Sequence, residues 1–403
     1  MNILRIIFFL HFPIPFPGAQ WTRISFFAQY FQCRGHQVNI AGAFSLLSIR
    51  KAGSINWHGI RIFNVTPLVM LDNTCSLILN ILSSFFSCII LLLYVRPELV
   101  VISVPPGDTA LGVYVVAKLF RIRRIIFDYR DEWEDHIIKK SKSVLYTRLY
   151  MQLKSLMTRC YINSELVLTV TEPLAQSLSS RGVYNVKLVT NGADSKVFKP
   201  LAKGTSRIKC GFKQNDFIFV YSGGIGVYYK LDLVIKAAEK VIRNRKDVKL
   251  IIVGYGATDE LKRIFDLIAC RSLQNNIFYL GEKLDKTELV EILNASDVGI
   301  IPYDSDPLWR NSLPSKALEY FACGLPVIAT VHRDSLLATL ILENNIGIIS
   351  EPEDIDKLAY NLENICSDTI FLSEAGERAV SLIKEKFERN KIAEDLVNSL
   401  QLV

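Results

Sequence analysis

The sequence predicts an α/β protein made of two doubly wound, Rossmann-like domains. Short apolar runs alternate with amphipathic helical patterns through both halves of the chain, which is typical of parallel sheets covered by helices on both faces. The length of 403 residues exceeds that of one compact domain. Half of the residues are apolar, and the 22% that are charged form no acidic or basic tail, so the chain is expected to be globular rather than disordered.

The apolar runs place the strands and the domain boundary. The first half has candidate strands at residues 4–10, 37–41, 99–103, 124–128, 166–170 and 187–189, and the second half at 217–221, 249–253, 277–280, 298–301 and 326–329. Residues 198–206, rich in Pro, Gly and Lys, separate a domain over 1–200 from one over 201–385. Residues 386–403 read as a terminal helix, of a kind that often packs back on the first domain. Ligands of such sheets bind at the carboxyl ends of the strands, so two facing domains would form a cleft.

The amino terminus and the cysteines bear on location. The apolar start resembles a signal peptide, but its only charge is Arg5 and three prolines follow at once, so a buried first strand is the better interpretation. The eight cysteines form no CxxC pair. We therefore expect reduced thiols in a cytoplasmic protein, with neither a zinc site nor a disulfide framework.

A glycine-rich turn follows the first strand of the second half. The segment "SGGIG" places Gly223, Gly224 and Gly226 between that strand and an amphipathic helix. Glycines at such a turn let backbone amides and the positive helix end approach a phosphate, which favours a nucleotide ligand. A tight turn with positive φ accounts for the glycines equally well.

The segment "NSLPSKALEYFACGLPVIAT", residues 311–330, predicts a helix that begins near Ser315. Its first amides, beside Ser315 and Lys316, could hold a diphosphate, and Pro314 suits the first turn. Glu319, one turn on, could accept two hydrogen bonds from a ribose diol. The alternative is that Glu319 only complements the helix dipole and Lys316 is solvated.

These motifs, in this order, resemble the nucleotide-binding half of the retaining glycosyltransferases of the GT-B fold. The matching segments are "GGIG…KLDLVIKAA", "VKLIIVGYG", "IFYLGEKLDKTELVEILNASDVGIIPY" and "LPSKALEYFACGLPVIAT", and they cover most of residues 185–400. The chain is most similar to the bacterial branch that builds O-antigens and capsules, such as the N-acetylfucosaminyl transferases. The resemblance implies transfer of a hexosyl or N-acetylaminosugar group from a UDP- or GDP-sugar, without a metal or other cofactor.

The resemblance also implies roles for residues of the second domain. The family carries two glutamates with seven residues between them; Glu319 matches the second, implied to bind the ribose, and Asn311 replaces the first. Ser312 and Leu313 follow Asn311 in the implied donor site. Among the implied diphosphate ligands, Gly223 and Gly224 form the turn, Gly224 stands where an arginine is usual, and the family lysine aligns with Tyr229 or Lys230. We expect Lys230 to bind the diphosphate, assisted by Lys316 and Ser315.

The first domain resembles the acceptor half of the family. The proline-rich loop around Gly18 corresponds to the loop that approaches the diphosphate. In "FDYRDEW", Arg130 takes the place of an active-site histidine and Asp131 keeps the aspartate that follows it. We expect Arg130, Asp131 and Lys230 to be catalytic, in a front-face mechanism that needs positioning and charge stabilisation rather than a protein nucleophile. The structural alternative is an Arg/Asp ion pair at a strand end.

The family context implies a polyprenyl-diphosphate-linked saccharide acceptor, a role in lipopolysaccharide or other surface polysaccharide synthesis, and no nucleic-acid partner. The rival interpretations are a nucleotide-sugar epimerase of the same architecture and a sugar-nucleotide-binding protein without activity. The net charge of +7 is modest.

Two segments favour a peripheral location on the inner face of the cell membrane. Residues 73–95 carry no charge and are just long enough to span a bilayer. A span would separate strands that must share one sheet, so a buried or partly inserted helix is preferred. Residues 136–163 carry six Lys or Arg and no acid, with Leu145, Leu149, Leu153, Leu156 and Cys160 expected on one helical face. Such a segment attracts anionic lipids, or is an ordinary helix with solvated charges.

Overall fold

The structure, a computed structural model, describes residues 3–11, 19–46, 52–69, 71, 73–283 and 285–400. Contacts between residues divide the chain into two compact units. The first is Met1–Thr190 together with Ala393–Val403, and the second is Asn191–Ile392. The division therefore falls after Thr190, where the sequence suggested residue 200.

The first unit is an eight-stranded sheet with helices on its faces. Its strands are β1 (Arg5–Phe9), β2 (Gln37–Ser45), β3 (Gly53–Trp57), β4 (Ile60–Leu68), β5 (Leu99–Val104), β6 (Arg124–Tyr129), β7 (Leu166–Thr169) and β8 (Val186–Leu188). Its helices are α1 (Ala19–Cys33), α2 (Thr74–Val95), α3 (Gly107–Leu119), α4 (Trp133–Lys140), α5 (Val144–Ile162) and α6 (Glu172–Ser180). The strand order is β3-β4-β2-β1-β5-β6-β7-β8, and all neighbours are parallel except β3 and β4.

The second unit is a six-stranded parallel sheet. Its strands are β9 (Phe217–Ser222), β10 (Val248–Val253), β11 (Ile277–Tyr279), β12 (Val298–Pro302), β13 (Val327–Thr330) and β14 (Gly347–Ser350), in the order β11-β10-β9-β12-β13-β14. Its helices are α7 (Lys203–Cys210), α8 (Leu231–Asn244), α9 (Thr258–Cys270), α10 (Lys286–Ala295), α11 (Ser315–Ala322), α12 (Leu336–Asn344), α13 (Ile355–Ile365) and α14 (Thr369–Leu382). The chain ends with a π-helical turn (Ile383–Phe387) and α15 (Arg389–Ser399), whose residues from Ala393 onward belong to the first unit.

The central strands of both sheets are buried on both faces. Every residue of β5 and every residue of β12 is buried. Helix α8 is amphipathic, and its four predicted apolar positions, Leu231, Val234, Ile235 and Ala238, are all buried. This pattern confirms the predicted fold class of two parallel, doubly wound sheets.

Each predicted strand coincides with an observed one, but three observed strands were missed. The antiparallel pair β3 and β4 forms one edge of the first sheet. Four of the five residues of β3 are exposed, so no apolar run marks it. β4, a nine-residue strand, and β14, a four-residue edge strand, were also missed.

The basic segment 136–163 is two helices rather than one. α4 ends at Lys140, and α5 begins at Val144 with Ser143 as its N-cap. The buried face of α5 contains Leu153 and Cys160, as predicted, but it is completed by Tyr146, Tyr150, Met157 and Tyr161. Leu145 and Leu156 are exposed, so the predicted single apolar stripe was wrong at these two positions.

Helix α2 lies between β4 and β5 along the chain and packs against α3 and β4. Its amino end has a capping box, in which Asn73 and Ser76 satisfy each other's backbone amides. Among the described residues it is the one helix long and apolar enough to cross a bilayer, with a mean hydropathy of 2.3 in its best window. A core helix passes the same test, and 39% of that window is buried here.

Candidate active site

The carboxyl edge of the second sheet holds most of the predicted donor-binding residues. β9 ends at Ser222, and the glycine turn follows at once. Its neighbour β12 ends at Pro302, and α11 begins at Ser315. Because β10 and β11 extend the sheet on one side of β9, and β12 to β14 on the other, this edge is the switch point where ligands bind in open α/β sheets.

The glycine turn brings the backbone close to a cation. Gly223 has φ +134°, a conformation that other residues rarely adopt, and a Cβ there would lie 2.7 Å from Lys316 Nζ. A Cβ at Gly254 would lie 1.8 Å from the Gly223 carbonyl oxygen. Both glycines are therefore needed, and the turn packs directly against Lys316.

Lys316 is the second residue of α11. Its Nζ lies 4.1 Å from the ring centroid of Tyr221 and 4.6 Å from that of Tyr229, so two aromatic faces stabilise the charge. Within the described part of the chain, Nζ has no hydrogen-bond partner. Burial lowers the pKa of Lys316 to about 7, and Glu319 partly opposes this shift. A buried ammonium group with unused donors is well suited to bind an anion.

Glu319 lies one turn further along α11. Burial raises the pKa of Glu319, while Arg389, Lys286 and Lys316 act in the opposite direction. The carboxylate is therefore partly buried and lies near three cations. Ionised, it can accept hydrogen bonds from a pair of hydroxyl groups.

Tyr320 fixes α11 against the sheet. Its hydroxyl accepts a hydrogen bond from the Ser222 amide at 2.6 Å and one from Ser222 Oγ at 3.0 Å. The ring is buried so closely over β12 that a Cβ at Gly299 would lie 2.4 Å from it. Gly299 and Tyr320 were not predicted as a pair, because no local pattern shows that two residues far apart in sequence are in close contact.

Lys230 lies in a different setting from Lys316. It is the N-cap of α8 and has a left-handed backbone, with φ 37° and ψ 38°. Its Nζ forms an ion pair with Glu353 Oε1 at 3.5 Å, and both side chains are partly exposed. The structure thus packs Lys316 against the glycine turn and pairs Lys230 with Glu353.

The segment before α11 contains the other predicted donor residues. Asn311 ends the 3-10 helix Pro307–Asn311, and Ser312 is its C-cap. Leu313 is buried, and its carbonyl accepts a hydrogen bond from Asn191 Nδ2 at 3.4 Å. Ser315 is the first residue of α11, preceded by Pro314 as the N-cap. The four predicted residues thus lie along one continuous segment that leads into the helix.

A group of aromatic side chains supports this segment, and two of them, Trp309 and Tyr303, were not among the predicted site residues. Trp309 stacks on Tyr303 with centroids 4.3 Å apart and planes 12° apart, and its Nε1 donates to Asp304 Oδ1 at 2.6 Å. Tyr229 lies 6.2 Å from Trp309, centroid to centroid. Tyr229 therefore contributes to the same aromatic group while facing Lys316.

A second polar group lies at the carboxyl edge of the first sheet. Arg130, just after β6, donates from Nε to Ser103 Oγ at 3.0 Å and from Nη2 to the Pro105 carbonyl at 3.2 Å. Burial lowers the pKa of Arg130, and the carboxylates of Asp131 and Asp128 raise it. Arg130 is thus held at the end of β5, its neighbour in the sheet.

Asp131 and His11 lie in the same electrostatic environment. Burial raises the pKa of Asp131 to about 6, against the effects of Arg130 and of the Trp133 amide, which donates to Asp131 Oδ1 at 3.3 Å. Burial, together with the Arg130 charge, lowers the pKa of His11 to about 4. His11 was not predicted, although a polar residue just after the first strand is a usable signal.

The buried ion pair at this edge joins Arg23 of α1 to Asp128 of β6. Arg23 Nη2 lies 2.9 Å from Asp128 Oδ1, and Arg23 Nε lies 3.0 Å from the same oxygen; the side chains are 4% and 1% exposed. Arg23 Nη1 also donates to the Thr190 carbonyl at 3.0 Å. An ion pair between Arg130 and Asp131 was the structural alternative suggested by the sequence, whereas the buried pair in this region joins Arg23 and Asp128.

Gly18, in the predicted diphosphate loop, lies outside the described residues. Among the described residues, no group of three or more His, Cys, Asp and Glu side chains is arranged to hold a metal ion.

Residues 203–382 match the family model of the glycosyl transferases group 1. This match covers the glycine turn, Lys316 and Glu319. The matched residues all lie within the second unit, which is therefore similar in sequence to the group 1 glycosyltransferases.

The relatives with similar sequences include two glycosyltransferases. The uncharacterized glycosyltransferase MJ1607 of Methanocaldococcus jannaschii is 25% identical over 241 residues, 58% of this chain and 58% of that protein. A D-inositol 3-phosphate glycosyltransferase of Gordonia bronchialis is 29% identical over 201 residues, 48% of this chain and 42% of that protein. The aligned part of the chain thus spans about half the length of these relatives.

Solved structures match over almost the whole chain. Sucrose-phosphate synthase from Thermosynechococcus elongatus has a TM-score of 0.78 at 16% identity, covering 98% of both chains. HepE of Anabaena, in complex with UDP and glucose, has a TM-score of 0.72 at 14% identity, covering 99% of this chain and 100% of that one. WaaG, a glycosyltransferase involved in lipopolysaccharide biosynthesis, has a TM-score of 0.69 at 14% identity, covering 98% and 99%. The two α/β Rossmann-like sheets therefore form a GT-B fold.

Proposed function

We propose that the protein is a retaining glycosyltransferase that moves a sugar from a nucleoside diphosphate sugar to a lipid-linked or saccharide acceptor in bacterial surface polysaccharide synthesis. The observation that carries the proposal is the buried ammonium of Lys316. It has no hydrogen-bond partner among the described residues, and it lies against the glycine turn of a unit similar in sequence to the group 1 glycosyltransferases, one turn from Glu319.

In this proposal the diphosphate lies over the glycine turn. The backbone around Gly223 and Gly224 and the first amides of α11, near Ser315, contribute donors. Lys316 supplies the positive charge that balances the leaving diphosphate as the glycosidic bond to the nucleotide breaks. Lys230 belongs to the same proposed set, and it would exchange its ion pair with Glu353 for the phosphate.

Glu319 is proposed to accept hydrogen bonds from the ribose hydroxyls. The sugar would lie near Asn311, Ser312 and Leu313, on the segment supported by Trp309. Asparagine at 311 can hydrogen-bond a sugar hydroxyl but adds no negative charge near the reacting carbon. Charge stabilisation therefore depends on the diphosphate side of the site.

Arg130 and Asp131, at the carboxyl edge of the first sheet, are proposed as catalytic residues for acceptor and phosphate handling. Their burial and opposite charges match that duty. With a pKa raised to about 6, Asp131 is close to the range in which a carboxylate exchanges protons near neutral pH. Front-face transfer requires no protein nucleophile, and the acceptor hydroxyl can lose its proton to the leaving phosphate.

For the donor, UDP is supported by the UDP complex of HepE, and a GDP-sugar is the alternative. The transferred group is proposed to be a hexosyl or N-acetylaminosugar unit. An acceptor carried on polyprenyl diphosphate, and a location on the cytoplasmic face of the membrane, fit the role of WaaG in lipopolysaccharide biosynthesis. Transfer is proposed to need no metal, because Lys316 supplies charge to the diphosphate; activity should therefore persist in EDTA.

The test is to incubate the purified protein with a panel of UDP- and GDP-sugars and a short polyprenyl diphosphate saccharide, followed by mass spectrometry. The expected result is an acceptor heavier by one sugar residue, an equimolar nucleoside diphosphate, and an anomeric configuration like that of the donor by NMR. Conversion of the free nucleotide sugar to an epimer, without acceptor, would replace the proposal by the epimerase. Donor binding without consumption would indicate a non-catalytic binding protein.

Replacing Glu319 with glutamine should weaken binding of the nucleoside diphosphate about tenfold, because an amide accepts fewer hydrogen bonds from a diol. Isothermal titration with UDP and with 2′-deoxy-UDP measures this. The wild type should lose affinity for the deoxy compound, and the E319Q variant should discriminate much less. The exposed Glu343→Gln substitution is the control. Equal discrimination by E319Q and the wild type would exclude Glu319 as the ribose ligand.

A further inference from the structure

Helix α2 has an outward face that is apolar along its whole length. Its members are 47–72% exposed and lie on one side of the helix, at spacings of one, three or four residues: Ile78, Leu79, Leu82, Phe86, Ile90, Leu93 and Tyr94. We call these residues the α2 face. Single exposed apolar residues are common on proteins, but a continuous stripe of seven marks an interaction surface.

The inward side of the same helix is fixed in the fold. Leu77, Cys88, Leu91 and Leu92 are buried in the core of the first unit. Asn80 Nδ2 donates to Asp108 Oδ2 of α3 at 3.2 Å inside that packing. The helix also connects β4 to β5, two strands of one sheet, so it does not cross a bilayer in this structure. Only its outer face remains available to another surface.

Cations flank one end of the α2 face. Exposed basic residues lie near the carboxyl ends of α2 and α3 and the starts of the neighbouring strands: Arg61, Arg96, Lys118, Arg121 and Arg123. Arg61 Nη1 donates to the Tyr94 hydroxyl at 2.6 Å, which ties this group to the stripe. Exposed Leu119 and Phe120 extend the apolar surface beside it.

Among the described residues, none of these five cations forms an ion pair with a carboxylate. Glu98 pairs with Arg5, and Glu165 pairs with Arg124 at 2.6 Å. The surface thus combines an uncharged helix about 33 Å long with a basic rim. An apolar stripe matches the acyl region of a membrane, and the rim matches anionic headgroups.

We propose that the α2 face docks on an anionic lipid bilayer, with the helix lying in the plane of the interface. Phe86 and Ile90 enter the acyl boundary, while the rim of Arg96, Arg121 and Arg123 contacts lipid phosphates. The inference deepens the membrane location proposed above by naming the surface, and it rests on that location. The experiments below measure only lipid binding, so absence of sugar transfer would not contradict the proposed membrane contact.

The first experiment is co-sedimentation of the full chain with vesicles of phosphatidylcholine, with or without one quarter phosphatidylglycerol. The wild type should bind the anionic vesicles, and the Phe86→Asp/Ile90→Asp variant should bind at least about tenfold more weakly. The matched control is Ile208→Asp/Ile370→Asp in the second unit, where both residues are as exposed as Ile90. Binding by the control should equal that of the wild type.

The rim is tested separately. The Arg121→Gln/Arg123→Gln variant should lose about tenfold in affinity for anionic vesicles, because each cation near a charged membrane contributes independently. The loss should shrink at high salt, where the charges are screened. Equal binding of this variant and the wild type at low salt would show that charge does not select the surface.

A third measurement does not depend on disruptive substitutions. Tryptophan at position 86, introduced as Phe86→Trp, should be quenched by lipids brominated on their acyl chains, whereas Ile370→Trp should not; the wild type corrects for the four native tryptophans. Absence of quenching at position 86 in bound protein would overturn the proposal. So would a stable dimer in solution that F86D/I90D dissociates, without vesicle binding by the wild type.

Discussion

Replacing Lys316 with methionine should lower kcat about 100- to 1000-fold, the usual effect of removing one group that stabilises charge in a transition state. Methionine keeps the length and the aromatic contacts with Tyr221 and Tyr229 but removes the cation from the glycine turn. Steady-state kinetics with the donor identified in the panel measure the loss. The affinity for the nucleoside diphosphate should fall as well, because its charge loses a buried counterion.

The same variant should be more stable than the wild type at neutral pH. Burial lowers the pKa of Lys316 to about 7, while in the unfolded chain a lysine has a pKa of about 10.4. Between these two pKa values the unfolded chain binds more protons than the folded chain, so Lys316 makes the free energy of unfolding rise with pH. Below pH 7 the lysine is charged in both states, and its full destabilising effect is present. The melting temperature of K316M should exceed that of the wild type at pH 6, and the difference should shrink towards pH 10.

Binding provides a second pH signature. Above pH 7 the ligand-free lysine loses its proton and must recover it to pair with a diphosphate. The affinity of the wild type for UDP should therefore fall between pH 7 and pH 9, and that of K316M should stay nearly flat. Lys230→Met is the matched comparison, because Lys230 is already paired with the Glu353 carboxylate. If K316M kept full activity and K230M were inactive, Lys230 rather than Lys316 would be the lysine that balances the charge of the diphosphate.

Replacing Arg23 with methionine should cost about 3–5 kcal/mol of folding free energy, because it leaves the Asp128 carboxylate buried without its partner. The Ser103 hydroxyl, 3.4 Å from Asp128 Oδ2, and the charge of Arg130 are the described interactions that remain for that carboxylate. Denaturant unfolding, followed by circular dichroism, measures the change. Arg5→Gln, which breaks the exposed pair with Glu98 in the same unit, should cost at most about 1 kcal/mol.

The double variant Arg23→Met/Asp128→Asn distinguishes a lost ion pair from a lost packing contact. If the cost arises from an unpaired charge, neutralising Asp128 should recover a large part of it. Additive losses would mean that the arginine stem and its bond to the Thr190 carbonyl carry the stability instead.

The fold was predictable because its signals are local. Apolar runs such as β5 and β12 are buried on both faces and stand out from the helices between them. The edge strand β3 lacks such a run, since it is largely exposed, and the edge strand β14 was missed as well. On α5, the assumption that leucines face inward failed, because tyrosines fill the core side and Leu145 is left outside.

The site was only partly predictable. The glycine turn and the start of α11 have local signatures, and they come together because both follow neighbouring strands at one sheet edge. Lys230 and Lys316 were both predicted as diphosphate ligands, and the contacts that distinguish them, with Glu353 and with Tyr221, involve residues far away in sequence. Asp128 was assigned to a strand, but its partner Arg23 is 105 positions away, so no spacing could reveal the pair.

The contact between Gly299 and Tyr320 has an evolutionary consequence. A Cβ at position 299 would lie 2.4 Å from the ring, so a side chain there and an aromatic residue at 320 exclude one another. The Tyr320 hydroxyl also accepts a hydrogen bond from the Ser222 amide. Loss of the tyrosine would therefore leave the last amide of β9, beside the glycine turn, without this hydrogen bond. Descendants of this sequence should change positions 299 and 320 together or not at all, and an alignment of close relatives should show the two columns covarying.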